Sequence, residues 1–232
     1  MLPAFILRGG AGFFYLPPVR FSPKPLVYIA ALAAAYYITY VDALTGHYAE
    51  TYWTELPQEL MLLAMVVLHV VVGRRYAFGR AFNYALAGFA LTCLIREHNN
   101  QLADLIHRRA WFVLAAPVGL ATALYAWRQR RVIYATYAQV RDTFGFGVLM
   151  IGFLILHLFS RLFGANDLWY ATMGDDYMRV VARTNEEGIE LMAYTVLLLG
   201  TVEVVSTIGR LARERPELNA EATELLAAPS WR

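Results

Sequence analysis

The chain has 232 residues, of which 59% are apolar and 16% charged, with a mean hydropathy of +0.43. A soluble domain of this size does not carry so few charges over so much apolar sequence. Its net charge of +2 is small and no basic tail or patch marks it for nucleic acid, while a single cysteine, Cys93, excludes a disulfide framework, a CxxC pair and a thiolate metal cluster. The composition predicts an all-α, polytopic membrane protein with the lipid bilayer as its first partner.

Residues 1–25 are apolar but broken by Gly9, Gly10, Gly12, Pro17, Pro18, Pro23 and Pro25, which predicts an interfacial segment rather than a span. The run from Leu2 to Leu7 is too short for a signal-peptide core, so the first span is expected to act as the signal anchor. Six spans follow in one transmembrane domain over residues 26–210. Span one covers about 26–44, with Asp42 and His47 near its end. Span two covers about 56–73, opens with Pro57 and carries His69 before Arg74 and Arg75. Span three begins near Phe82 and turns polar at Arg96-Glu97-His98, with Glu97, Asn100, Asp104 and His107 keeping helical spacing beyond it.

Span four, about 111–127, contains Pro117, where a kink is expected. A polar connection with Arg128, Arg130 and Arg131 leads to span five, 144–163, whose Gly145, Gly147 and Gly152 permit close helix contact and whose far end carries His157 and Arg161. Thr184 and Glu187 form a capping-box pattern at the head of span six, 187–208. Glu187, Glu190, Tyr194 and Thr201 lie within roughly 60° of one another on that helix, a polar stripe that must face other helices or water. Glu203 falls on the other side, deep in the span, where membership of a proton path and a bond to a neighbour's Tyr or Thr are both open. Residues 211–232 read as a polar tail with a short surface helix.

With six spans both termini lie on one side. Of the 20 Lys and Arg residues, 14 fall on the side of the termini, and loops rich in these residues stay cytoplasmic. The expected location is a bacterial inner membrane with both termini in the cytoplasm. Asp42, His47, Glu59, Arg96, Glu97, His98, Asp104, His107, His157, Arg161, Asp167, Glu186, Glu187 and Glu190 then gather at the outer face.

Ionisable groups at that depth are costly unless paired or wetted, which makes them candidates for function. Spans three, five and six are expected to meet there in one polar site of Glu97, His98, His157, Arg161, Glu187, Glu190 and Tyr194, with the Arg161–Glu190 pair as its floor. His98, Asp104, His107, His157 and Glu190 are the candidate ligands if the cofactor is a divalent metal ion, Asp104 and His107 being spaced i,i+3 as on one helical turn. The competing readings are helix caps, surface charge and a core histidine bonded across helices. His69 has no second histidine at its depth, which argues against a bis-His haem.

Three functions stay open: transport or binding of a cation or small polar solute, a metal-dependent hydrolase acting on a lipid or periplasmic substrate, and a non-catalytic subunit of a membrane complex. A second copy of the chain or a membrane partner is the protein partner these readings expect.

Two resemblances bear on these readings. Glu186-Glu187-Gly188-Ile189-Glu190 resembles the Arg-Glu-Gly-x-Glu motif of the bacterial and fungal iron permeases, which implies that Glu187 and Glu190 face a permeation path. This chain has Glu186 where that family has Arg, and one copy of the motif where the family has two. Ile95-Arg96-Glu97 with Trp111, together with Glu186 to Leu191 and Tyr194, resembles an uncharacterised family of bacterial multi-pass inner-membrane proteins. That likeness spans predicted helices three to six and implies no activity.

Overall fold

The computed structural model of the chain describes residues 22–45 and 52–227. Most of the predicted interfacial segment, His47 and the last five residues lie outside the described residues. Within them every regular element is helical: α1 (Lys24–Thr45), α2 (Tyr52–Arg75), α3 (Arg80–Glu97), α4 (Asn99–Leu105), α5 (Ala110–Arg128), α6 (Arg130–Val140), α7 (Phe144–Leu154), α8 (Ser160–Phe163), α9 (Asn166–Met173), α10 (Arg179–Glu214) and α11 (Pro216–Ala227). A π-helical turn, Ile155–Phe159, joins α7 to α8 without a break, and a short 3₁₀ turn, Gly174–Asp176, precedes α10.

Among the described residues five helices are long and apolar enough to cross a membrane: α1, α2, α5, the continuous Phe144–Phe163 segment and α10. The third predicted span, α3, is helical too, but its 18 residues include Arg80, Arg96 and Glu97 at their two ends. The chain is an all-α bundle with the build of a multi-pass membrane protein.

The axis of the bundle is α10, the most buried of the long helices. Its 36 residues make a rod of about 54 Å, against a hydrocarbon core of about 30 Å, so the helix overhangs the membrane. One side packs antiparallel on α7, and the contact is set by glycines on both helices. A Cβ on Gly200 would lie 2.5 Å from the backbone nitrogen of Leu149, and one on Gly152 would lie 2.8 Å from that of Leu197. With hydrogen in place of a methyl, the two backbones approach closely enough to gain dispersion contacts that lipid cannot replace. Helices α2 and α1 flank α10 on its other sides, while α3 packs on α2 and α5 on α3.

Polar ties fix the register of these helices. Lys24 Nζ donates to Glu203 at 2.8 Å and Tyr28 Oη donates to the same carboxylate at 2.7 Å, joining the start of α1 to α10. Fifteen residues along each helix, Thr39 rests against Gly188, as antiparallel helices require. Between α2 and α3, His69 Nδ1 meets Asn83 Oδ1 at 2.8 Å, and His69 Nε2 lies 3.4 Å from Thr201 Oγ1 of α10. A buried polar group in such a setting must find its partner inside the protein.

Three expectations are corrected. The last long helix begins at Arg179, with Met178 as its cap and no side-chain capping bond, so Thr184 and Glu187 lie inside a helix and form no capping box. The extension of span three breaks at His98 and ends at Leu105, with Ile106 at φ −128° and ψ −70°, which takes His107 off the helix. The connection between spans four and five is helical: Val132, Thr136 and Val140, four residues apart, are the buried positions of α6. Helix α11 lies against α6 and α10, held by the Phe78 amide donating to Asn219 Oδ1 at 3.0 Å and by Asn219 Nδ2 donating to the Ala212 carbonyl at 2.8 Å.

The glycine contact has a signed consequence. Gly200→Ala should lower thermal stability in detergent by about 1–3 kcal/mol, because its Cβ meets backbone that cannot step aside. Gly147 has nothing within 4 Å of its Cβ position, and Gly147→Ala should stay within about 1 kcal/mol of the wild type. Equal melting temperatures for the two variants would contradict the packing described.

Candidate functional site

At the end of the bundle where α3 and α8 finish and α10 begins, a cavity of about 530 Å³ opens between them. Arg96 and Glu97 reach it from α3, Arg161 from α8, and Arg179, Arg183, Glu186, Glu187 and Glu190 from α10, with Trp111 of α5 as a wall. The α10 residues recur at intervals of three and four, so the turns upstream of Thr184 carry one charged stripe into the cavity.

Glu190 lies at its base. The carboxylate side chain is 6% exposed and is held by two guanidinium groups. Arg161 Nη2 binds Glu190 Oε1 closely, and Arg96 Nη2 approaches the same oxygen at 3.2 Å. Arg96 Nη2 also donates to Glu97 Oε1 at 2.6 Å, and Tyr194 Oη donates to that oxygen at 2.5 Å. Arg161 Nη1 pairs with Glu186 at 3.2 Å. A buried carboxylate facing two cations, and those cations shared among three carboxylates, make a network in which every charged group has an opposite charge beside it.

The π turn contributes to this geometry. It inserts one residue into the helix, so the slot that Ser160 would occupy in an uninterrupted helix is taken by Arg161. Ser160 turns inward and its hydroxyl donates to the Leu156 carbonyl, while Arg161 faces Glu190.

Of the residues expected at the site, the structure brings Glu97, Arg161, Glu187, Glu190 and Tyr194 together. Glu187 lines the cavity from its far side and accepts from Gln58 Nε2, through its backbone oxygen at 3.2 Å and its carboxylate at 3.4 Å. His98 and His157 do not line it. His98 bonds through Nδ1 to the Leu94 carbonyl at 2.9 Å and turns Nε2 toward Glu59 of α2 at 3.5 Å. His157 stacks on Phe153 at 4.3 Å and bonds to the Phe153 carbonyl of its own turn at 3.2 Å, on an exposed face of the bundle. It is neither a ligand in the cavity nor a core histidine bonded across helices.

The expected metal set is not assembled. Among the described residues no group of three His, Cys, Asp or Glu side chains is placed to hold a metal ion. Asp104, in the last turn of α4, and His107, beyond its end, are both exposed, and His107 Nδ1 accepts from the Arg109 amide at 3.2 Å. Glu190 is occupied by two guanidinium groups, which would repel a cation at that oxygen.

Arg179, Arg183, Glu186 and Trp111 were missed as cavity residues. The signal was present for the two arginines, since Arg179, Arg183 and Glu187 are spaced by four, but reading Thr184 as a cap placed them in a loop.

No protein-family model matches the chain, and neither a curated protein nor a solved structure matches it. The site is therefore described by its own geometry.

Removing Glu190 leaves Arg96 and Arg161 facing each other without their shared anion. Glu190→Ala should cost about 3 kcal/mol of unfolding free energy, whereas Tyr194→Phe, which deletes one hydrogen bond to Glu97, should cost about 1–2 kcal/mol. Chemical denaturation in mixed micelles measures both, and a Glu190→Ala variant as stable as the wild type would contradict the network.

Proposed function

We propose that the chain binds, and moves across the membrane, a small polar solute carrying a carboxylate group, taken up at the cavity bordered by Arg161 and Glu190. The observation that carries this reading is the way the charges in the cavity are spent. The deep carboxylates are already satisfied: Glu190 by Arg96 and Arg161, and Glu97 by Arg96 and Tyr194. The arginines are not exhausted. Each guanidinium carries five N–H donors, and Arg179 and Arg183 border the same space, with Arg183 only 3.9 Å from Glu55 and Arg179 in no ion pair among the described residues.

Such a cavity offers donors to an incoming anion, a planar fit to a carboxylate and an indole wall for an apolar part. Its volume lies in the range that encloses small metabolites. Between the cation and the polar solute, the arrangement favours the solute, because a cation would have to displace a guanidinium from Glu190. The hydrolase reading needs a nucleophile or metal-bound water; Ser160 Oγ instead donates to its own helix.

In the orientation that the basic residues favour, with both termini cytoplasmic in a bacterial inner membrane, the cavity opens to the outside. A carboxylate solute would then arrive from the periplasmic face and exchange places with part of the Arg–Glu network.

Thermal unfolding of the protein in nanodiscs, against a panel of amino acids and short-chain hydroxy and dicarboxylic acids at millimolar concentration, tests the reading. At least one class is expected to raise the melting temperature by several degrees, and the shift should vanish in Arg161→Gln. A panel that leaves the wild type unmoved, or that shifts Arg161→Gln equally, contradicts it.

A further inference from the structure

We infer that Asp42 and Gln58 form a binding site for a monovalent hard cation of the sodium type, in the joint between α1, α2 and α10. Gln58, whose Nε2 is bonded to Glu187, ties this joint to the solute cavity that Glu187 lines. The site deepens the solute reading, and rests on it, only in the coupling of the two ligands; the cation site has its own evidence.

Two oxygens carry the inference. Asp42 is 8% exposed and Gln58 is fully buried, yet Asp42 Oδ1 and Gln58 Oε1 accept no hydrogen bond. Leaving a buried acceptor unsatisfied costs about 1–3 kcal/mol, more when the group is charged, so a pair of them in one joint calls for a positively charged or donating occupant. Their other atoms are fixed. Thr54 Oγ1 donates to Asp42 Oδ2 at 3.0 Å, and Gln58 Nε2 donates to the Glu187 backbone oxygen at 3.2 Å and to its carboxylate at 3.4 Å. Because Nε2 is held by two acceptors on Glu187, the amide oxygen of Gln58 is turned away from them, and reversing the amide would set oxygen against oxygen. Thr54 and Gln58 stand one turn apart on the same face of α2, which brings Asp42, held by Thr54, and the Gln58 amide to adjacent levels of one seam.

The helix ends point the same way. Asp42 sits in the last turn of α1, where unpaired carbonyls concentrate negative charge, and no basic residue lies in that turn. A carboxylate at this end of a helix raises the local negative potential. Among the described residues no Lys, Arg or His forms an ion pair with Asp42. A bound cation would offset both the carboxylate and the carbonyl end.

The donor chemistry selects the ion. The candidate ligands are one carboxylate and one amide oxygen, with no imidazole or thiolate, and oxygen-only sets suit hard ions rather than zinc or copper. A single carboxylate charge is balanced by a monovalent ion, and with few protein oxygens in a buried seam sodium, less strongly hydrated than magnesium, fits better than an ion that retains its waters. Gln58 donates to Glu187, which lines the solute cavity, so a cation on the amide oxygen would strengthen the Nε2 donation to that carboxylate and lessen its repulsion of a solute carboxylate beside it. Each ligand would then raise the affinity of the other by the same factor.

The test is equilibrium binding of radiolabelled sodium to the full chain in nanodiscs, without solute, at constant ionic strength held by choline chloride. The wild type should bind one ion per chain, displaced by unlabelled sodium chloride and not by choline chloride. Gln58→Met, which keeps the volume and removes the amide oxygen, and Asp42→Asn should each weaken binding by about tenfold or more. Arg161→Gln, which disables the solute cavity, should bind sodium as the wild type does. Absence of saturable sodium binding to the wild type would overturn the inference and assign the seam to water or a proton. Undiminished binding in Gln58→Met would overturn it as well. If Asp42→Asn does not fold, Gln58→Met and the wild-type titration decide the matter. Loss of the solute response with sodium binding intact would sink the solute reading and leave the cation site standing.

Discussion

A carboxylate buried at the base of a cavity sets the terms for the rest of the bundle. Glu190 is nearly inaccessible on the central helix, and an ionised group in that position is destabilising by several kcal/mol unless other charges and hydrogen bonds surround it. The chain meets this demand with Arg96 from α3 and Arg161 from α8, two helices that share no extensive interface with each other. The ion pairs therefore do what apolar contact does not: they draw the end of α3 toward α10, two helices that lower in the bundle are both packed on α2. Tyr194, one turn below Glu190, extends the tie to Glu97, so the cavity wall and the helix packing have the same cause.

The remainder of α10 is built for close approach. Gly200 and the facing Gly152 bring α7 against it, and the same antiparallel packing carries the Phe144–Phe163 segment up to the level of Glu190. The π turn then corrects the rotation so that a guanidinium rather than a hydroxyl arrives there. Lower down, Glu203 is tied to Lys24 and Tyr28, and His69 links α2 to Asn83 and Thr201. These interhelical ties thus fix the helices they join in one register, which lipid-facing apolar surface alone does not do.

Much of this was legible in the sequence because a membrane imposes strong patterns. Apolar runs located the long helices other than α10 within a few residues, whereas α10 starts eight residues before and ends six residues after the expected span, and the cost of buried charge was enough to anticipate that Arg161 would meet Glu190. The histidines were misread for a physical reason. Sequence spacing gives depth along a helix but not rotation about it, and the π turn and the break at His98 both alter rotation. His157 consequently stacks on Phe153 outside the cavity, and His98 turns to Glu59. The capping-box pattern at Thr184 is a local signal that the packing of α10 overrides, and reading it as a boundary concealed Arg179 and Arg183. The unsatisfied oxygens of Asp42 and Gln58 leave no sequence signature, since they are defined only by what fails to approach them in three dimensions.

The central claim is that Glu190 and Arg161 act as one unit, and a double-mutant cycle on their unfolding free energies measures this directly. With Arg161→Gln, Glu190→Gln and the double variant in the same micelle, the account predicts a favourable coupling energy of about 1.5 kcal/mol or more. Additivity within about 0.5 kcal/mol would mean that the two side chains do not depend on each other, and that the cavity is not held together in the way described.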